Sequence, residues 1–168
     1  MPIRTPRILI ADDQHDVLES LRLLLKGEGY AAETFDTPEA LVRALRARTA
    51  DVVLMDLNYT RDTTSGEEGL DTVARIRAFD AYTPIVVMTA WSSIELAVEA
   101  MRRGAQDFVE KPWDNDRLLT VLRTQVALGQ SLQLGLRVEL PGGNDFPGLG
   151  RPETQEGNRR REPMPGLS

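Results

Sequence analysis

The sequence predicts an α/β fold: a doubly wound parallel sheet of five strands, each followed by a helix. Three observations predict it. Short apolar runs of strand length alternate with stretches of helical periodicity, which is the pattern of βαβ units. The best-defined runs are almost wholly apolar, as strands buried on both faces should be. Four runs end in a polar or charged residue where an open parallel sheet carries its sites, at the carboxyl edge of the strands. Those ends are Asp12-Asp13, Asp56, Thr89 and Lys111-Pro112.

The first strand is Arg7 to Ala11. Val17, Leu18, Leu21, Leu24 and Leu25 then share one stripe of a helix, which Gly27 and Gly29 stop. Tyr30 to Phe35 reads as the second strand. Thr37-Pro38 opens the second helix with an N-cap hydroxyl and a proline in the first turn, and the helix runs to about Arg48. The third strand is Val52 to Met55. A polar stretch, Asn58 to Gly66, precedes a helix carrying Leu70, Val73, Ala74, Ile76 and Arg77. Thr83-Pro84 leads into the fourth strand, Ile85 to Met88, and the helix after it, from about Ser93 to Arg103, ends at Gly104. Asp107 to Val109 is a short fifth strand. Asp114 caps a last helix bearing Leu118, Leu119, Leu122 and Val126. Five such units in about 125 residues imply a flavodoxin-like sheet of order 2-1-3-4-5, with its switch point between strands one and three. Asp12, Asp13 and Asp56 lie at that point.

The domain is expected over residues 5–130. Residues 131–168 are expected to form a partly helical, then disordered, tail. Scattered leucines from Ser131 to Leu140 let the last helix extend, while Gly129 and Gly135 work against it. From Pro141 onward glycine and proline dominate without apolar period. Arg159-Arg160-Arg161 reads as a solvated charge run.

The whole chain has 168 residues, 41% of them hydrophobic and 27% charged, enough for one packed domain with length left over. A net charge of −6 argues against a nucleic-acid-binding surface on the folded part. Without cysteine there is no disulfide or thiolate metal site, and the single histidine, His15, excludes a His-rich one. His15 is expected to be exposed at the start of the first helix. No signal-peptide pattern opens the sequence, and no apolar run approaches the roughly 20 residues that span a bilayer. The expected setting is cytoplasmic, away from membranes.

The strand ends suggest a chemistry. Two carboxylates about 4 Å apart repel by about 4 kcal/mol at an effective dielectric near 20. The Asp12, Asp13, Asp56 cluster therefore needs a cation, or one member must hold a proton. Oxygen ligands alone select a hard ion such as Mg2+, which takes one or two carboxylates, water and phosphate oxygens. A carboxylate can also act as a nucleophile and form an aspartyl phosphate. With Lys111 as a point charge and Thr89 as a hydroxyl donor, the set suits phosphoryl transfer, which is mostly positioning and charge neutralisation.

An Asp pair after strand one, Asp after strand three, Thr-Ala after strand four and Lys-Pro after strand five together resemble the receiver domain of two-component response regulators, over about Arg7 to Gln130. The resemblance implies that Asp56 is the phosphoacceptor. It implies that Asp13 ligates Mg2+ directly, Asp12 mainly through water, Asp56 through its carboxylate and Asn58 through its backbone carbonyl. Thr89 becomes the switch hydroxyl, Lys111 the phosphate contact, and Phe108 the aromatic that swings inward with Thr89. A cis peptide is implied before Pro112. The partners implied are a sensor histidine kinase or phosphotransfer protein, a small phosphodonor such as acetyl phosphate, and an unidentified downstream protein. A phosphorylation-linked homodimer is a further implication. Such a domain is not an enzyme but a signalling domain that promotes its own phosphorylation and slow dephosphorylation.

Met88-Thr89-Ala90-Trp91 and Phe108-Val109-Glu110-Lys111-Pro112-Trp113 are similar to receivers of the nitrogen-regulator type of enhancer-binding activator, which implies transcription regulation. Two features depart from that group. The loop Tyr59 to Glu68 is longer and lacks the usual Met-Pro pair, and no Gly-rich loop with Lys-Ser/Thr follows the receiver. The chain is thus either a stand-alone receiver or part of a longer activator. Trp91 and Trp113 either pack beside the site or belong to a partner surface. Two rival functions stand beside the receiver. One is a receiver-like binding module that takes no phosphate. The other is a haloacid-dehalogenase-type phosphohydrolase, whose Asp-x-Asp-x-Thr motif Asp56-Leu57-Asn58-Tyr59-Thr60 resembles. There the second Asp is the general acid, a role that Asn58 cannot fill.

Overall fold

The computed structural model describes residues 4–58, 67–90 and 94–139, with side chains up to residue 130. The chain divides into two compact units, 1–133 and 134–168, and the fold below is that of the first. The strands are β1 (Arg7–Ala11), β2 (Ala31–Phe35), β3 (Val52–Asp56), β4 (Ile85–Thr89) and β5 (Asp107–Glu110). The helices are α1 (His15–Gly27), α2 (Pro38–Ala47), α3 (Glu67–Phe79), α4 (Ile94–Arg103) and α5 (Asn115–Glu139). All strand pairs are parallel, in the order β2-β1-β3-β4-β5. The expected topology is the observed one.

Alternation along each strand divides the core in two, because successive side chains point to opposite faces. Leu9, Ala11, Val53, Met55, Ile85 and Val87 meet Leu41, Leu45, Leu70, Val73 and Ile76 from α2 and α3. Ile8, Ile10, Val52, Leu54, Val86 and Met88 meet Leu18, Leu21, Leu25, Leu118 and Leu122 from α1 and α5. Each large aliphatic side chain so buried stabilises the fold by about 1.5–3 kcal/mol. Every residue of β1, β3 and β4 is buried, which explains their nearly unbroken apolar sequence.

Helix ends follow local chemistry. The Thr37 hydroxyl accepts from the Ala40 amide at 3.2 Å, with Pro38 opening the helix. An Asp114 carboxylate oxygen accepts from the Asp116 amide at 3.1 Å at the start of α5. The stop of α1 belongs to Gly29, at φ +87°, whereas Gly27 is still helical. The Gly29 amide donates to the Lys26 carbonyl and the Tyr30 amide to the Leu25 carbonyl, a Schellman closure. Tyr30 is spent in that closure, so β2 begins at Ala31 rather than Tyr30. Gly104, at φ +122°, closes α4 in the same way, with bonds to the Met101 and Ala100 carbonyls.

Neither Gly129 nor Gly135 ends α5, which continues to Glu139. At Gly129 a Cβ would lie 3.2 Å from Pro84 Cγ, so the missing side chain permits close packing there. The expected disorder from Pro141 onward, the Arg159–Arg161 run, Trp91 and most of the Tyr59 to Glu68 loop lie outside the described residues. Glu67 and Glu68, the end of that loop, belong to α3.

Candidate functional site

Strand register assembles the site. Ala11 stands opposite Met55, and Asp56 opposite Met88, so the next residue of each strand reaches the same edge. Asp12 follows β1, Asp56 closes β3, Thr89 closes β4, and Lys111 follows β5. The Lys111 amide donates to the Thr89 carbonyl at 2.8 Å, which continues the β4–β5 pairing one step beyond the sheet. The Lys111–Pro112 peptide is cis, as expected.

Asp12, Asp56 and Thr89 are 0%, 2% and 1% exposed, while Asp13, Asn58 and Lys111 are half-buried. One carboxylate oxygen from each of Asp12, Asp13 and Asp56 lies within 4.8 Å of the others. Lys111 Nζ donates to Asp12 Oδ2 at 2.6 Å and to Asp56 Oδ2 at 3.0 Å. The remaining oxygens take backbone amides: Asp12 Oδ1 accepts from Gln14 at 2.9 Å and Asp56 Oδ1 from Asn58 at 3.0 Å. Asp12 thus also serves the start of α1, where the Gln14 side chain makes no capping bond.

Burial pushes the Asp56 carboxyl up to about 6, and the neighbouring Asp12 charge adds to the rise. Lys111 and the Asn58 amide oppose it without cancelling it. Burial alone would lower the Lys111 ammonium, but its bond to Asp12 and the charges of Asp56 and Asp12 hold it above its ordinary value. Among the described residues, the Lys111 ammonium is shared between Asp12 and Asp56 and does not offset the rise at Asp56. Two buried polar atoms here, Thr89 Oγ1 and Asn58 Nδ2, have no hydrogen-bond partner among the described residues. Buried polar groups are rarely left so. An all-oxygen acidic cluster, with an unpaired hydroxyl at the same sheet edge, fits a hard divalent cation and an oxyanion.

The expected residues fall out as follows. Asp12, Asp13, Asp56 and Lys111 come together, with Asn58 and Thr89 in the adjoining backbone. Phe108 does not join the acidic cluster; it is half-buried against the α2–α3 side of the core. His15 is exposed at the first residue of α1. Trp113 packs partly against the α1–α5 core, and its indole donates to Asn115 at 3.1 Å. One residue that matters at the site was not foreseen. Gly69 in α3 is buried, and a Cβ there would lie 2.6 Å from Leu57 Cα and 2.8 Å from the Leu57 carbonyl oxygen. Its bare face lets α3 rest on the peptide between Asp56 and Asn58. The available signal was a glycine inside a helical pattern, which usually has a packing reason.

Comparison with known proteins places these observations in a family. The sequence profile described as "Response regulator receiver domain" matches residues 8–123. The transcriptional regulatory protein FixJ of Bradyrhizobium diazoefficiens is 33% identical over 119 residues, covering 71% of this chain and 56% of FixJ. The crystal structure of the N-terminal signal receiver domain of a response regulator from Bacteroides fragilis superposes with a TM-score of 0.66 at 37% identity, covering 73% of this chain and 98% of that one. NtrX from Brucella abortus gives a TM-score of 0.73 at 27% identity, over 82% of this chain and 30% of NtrX. The chain thus spans little more than half of FixJ and under a third of NtrX.

Proposed function

The chain belongs to the response regulator receiver domain family, and from that premise we propose that it is the phosphoacceptor of a two-component relay, with Asp56 as the residue modified. The observation that carries the proposal is the convergence of Asp12, Asp13, Asp56 and Lys111 at one end of the sheet, 99 residues apart in sequence at the extreme.

An ionised Asp56 oxygen attacks the phosphorus of a phosphohistidine or an acyl phosphate. The P–N or P–O bond to the donor breaks, its electron pair leaves with the donor, and an aspartyl phosphate forms. With a carboxyl near 6, Asp56 is mostly ionised at neutral pH. Asp12, Asp13, Asp56 and the Asn58 carbonyl are the groups to hold Mg2+, which when bound supplies charge neutralisation for the transferring phosphoryl oxygens. Lys111 releases Asp56 Oδ2 and pairs with one phosphoryl oxygen, and the unpartnered Thr89 hydroxyl donates to another. Moving Thr89 shifts the end of β4. Phe108 follows, and the face formed by α4, β5 and α5 changes its affinity for a partner. Such a switch is only as strong as the difference in phosphoryl affinity between the two states.

The proposed donors are a sensor histidine kinase, a phosphotransfer protein or acetyl phosphate, and the proposed setting is the cytoplasm. No described helix is long and apolar enough to cross a membrane. The output is a protein partner or a second copy of the chain, with no direct nucleic-acid contact by the receiver itself. In this reading the protein is a signalling domain whose only chemistry is its own phosphorylation and slow dephosphorylation.

The test is intact mass after incubation with acetyl phosphate and Mg2+. One phosphoryl adduct is expected, absent in Asp56→Asn and absent with EDTA. No adduct under any condition would refute the reading in favour of a phosphate-independent module, and turnover of a small phosphoester would favour a hydrolase.

A further inference from the structure

The helices are not equally anchored. α1 buries Leu18, Leu21 and Leu25, and α2 buries Leu41, Val42 and Leu45. By contrast, the residues that α4 buries are Ala97 and Ala100, while Ile94, Val98 and Met101 remain 50%, 48% and 42% exposed. Apolar burial scales with the area removed from water. The apolar grip on α4 is therefore the weaker one, although α4 directly follows the β4 end that carries Thr89.

Charge supplies what packing does not, and it does so at the far end of the helix. Arg103, in the last turn of α4, reaches Asp71 of α3 at 3.2 Å and Glu67 of α3 at 3.9 Å. Its Nε is held by Glu99, one turn back, at 3.1 Å. Glu67 and Asp71 are four residues apart on α3, so both face the same guanidinium. A second arginine reinforces this end from the opposite direction: Arg77 Nε of α3 donates to the Gly104 carbonyl at 2.9 Å. The carboxyl end of α4 is thus bound to α3 by two arginines.

We infer that the Arg103 clasp on Glu67 and Asp71 is a regulatory restraint. It holds α4 against α3 in the unphosphorylated protein, and the phosphoryl-driven shift of Thr89 works against it by drawing α4 away from α3 and opening the clasp. The inference rests on the phosphoacceptor reading above. It adds the element that sets how strongly the signal must pull. A solvent-accessible ion pair shifts such an equilibrium by about 1.4- to 5-fold, so losing two loosens α4 by about two- to thirty-fold. By linkage, the same factor appears as tighter binding of a phosphoryl mimic.

The experiment is amide hydrogen exchange on the full chain, paired with titration of beryllium fluoride in Mg2+. The proteins compared are the wild type, Arg103→Ala, Asp71→Asn and Arg103→Lys. Faster exchange confined to the α4 amides is expected in Arg103→Ala and Asp71→Asn, with α1 unchanged and partial recovery in Arg103→Lys. The difference should collapse in 1 M salt, where the screening length is about 3 Å. Mimic affinity should rise by about two- to thirty-fold in Arg103→Ala and by about 1.4- to 5-fold in Asp71→Asn, which loses one pair only. Unchanged α4 exchange would overturn the clasp. So would loosened α4 with unchanged mimic affinity, since the ion pairs would then be uncoupled from the site. A wild type that binds no mimic would instead overturn the phosphoacceptor reading, and this proposal with it.

Discussion

Replacing Asp56 by Asn removes one negative charge from a buried pocket in which Asp12 and Asp56 share the Lys111 ammonium. Its effect on stability can be worked out before any phosphoryl chemistry is measured. In the folded chain the Asp56 carboxyl sits at about 6, against 3.8 for the free side chain. A shift of about 2 units corresponds to about 3 kcal/mol. The folded state holds this proton more tightly than the unfolded state. The stabilisation is therefore full below about pH 3.8 and is lost as pH rises through about 6. Asn has the shape of the protonated acid and never ionises, so Asp56→Asn keeps what the wild type loses. In EDTA the variant is expected to be more stable than the wild type by about 3 kcal/mol at pH 8 and by about half that at pH 5. Urea unfolding reads this directly as a displaced midpoint with unchanged slope. Adding Mg2+ should stabilise the wild type more than the variant, because the cation relieves the same repulsion. A metal-free variant at pH 8 that is no more stable than the wild type would refute the assignment of Asp56 as a strained, undercompensated carboxylate.

Three further outcomes are expected. Gly69→Ala places a methyl against the Leu57 backbone and should cost about 1–3 kcal/mol in thermal or urea unfolding, with slower phosphoryl uptake. Lys111→Met strands two buried carboxylates and should lower metal-free stability by about 3 kcal/mol at pH 8. Most of that loss should be recovered at pH 5, where Asp56 takes up a proton, or on addition of Mg2+. Thr37→Ala removes the N-cap acceptor of α2 and should cost about 1 kcal/mol while leaving the yield of phosphoprotein at saturating donor unchanged.

The strands and the site were legible in the sequence for the same reason. β1, β3 and β4 are buried on both faces, so they had to be apolar, and a charge at their ends therefore stood out. Asp12, Asp56 and Lys111 could be placed together once the strand order was inferred, since register then fixes which residues meet. What escaped depends on close approach rather than on type. Gly69 matters because of an atom it lacks, and only the position of Leu57 reveals this. The Arg77 contacts with the Gly104, Asp80 and Thr83 carbonyls join segments whose proximity no periodicity announces. The extension of α5 was only half legible: the leucines from Ser131 to Leu140 allowed it, while helix propensity counts Gly129 as a loss although a Cβ there would crowd Pro84. At Tyr30, both strand propensity and apolar character pointed to β2, but the Schellman bond to Leu25 claimed its amide.

The bond between Lys111 and Asp12 ties the last strand end of the sheet to the first across 99 residues. No nascent chain still lacking residue 111 can hold the ammonium against the two carboxylates. The complete charge arrangement of the site thus exists only once β5 is present and docked. On the phosphoacceptor reading, a chain that stops short of residue 111 would carry the acidic carboxylates without their ammonium and take up no phosphoryl group.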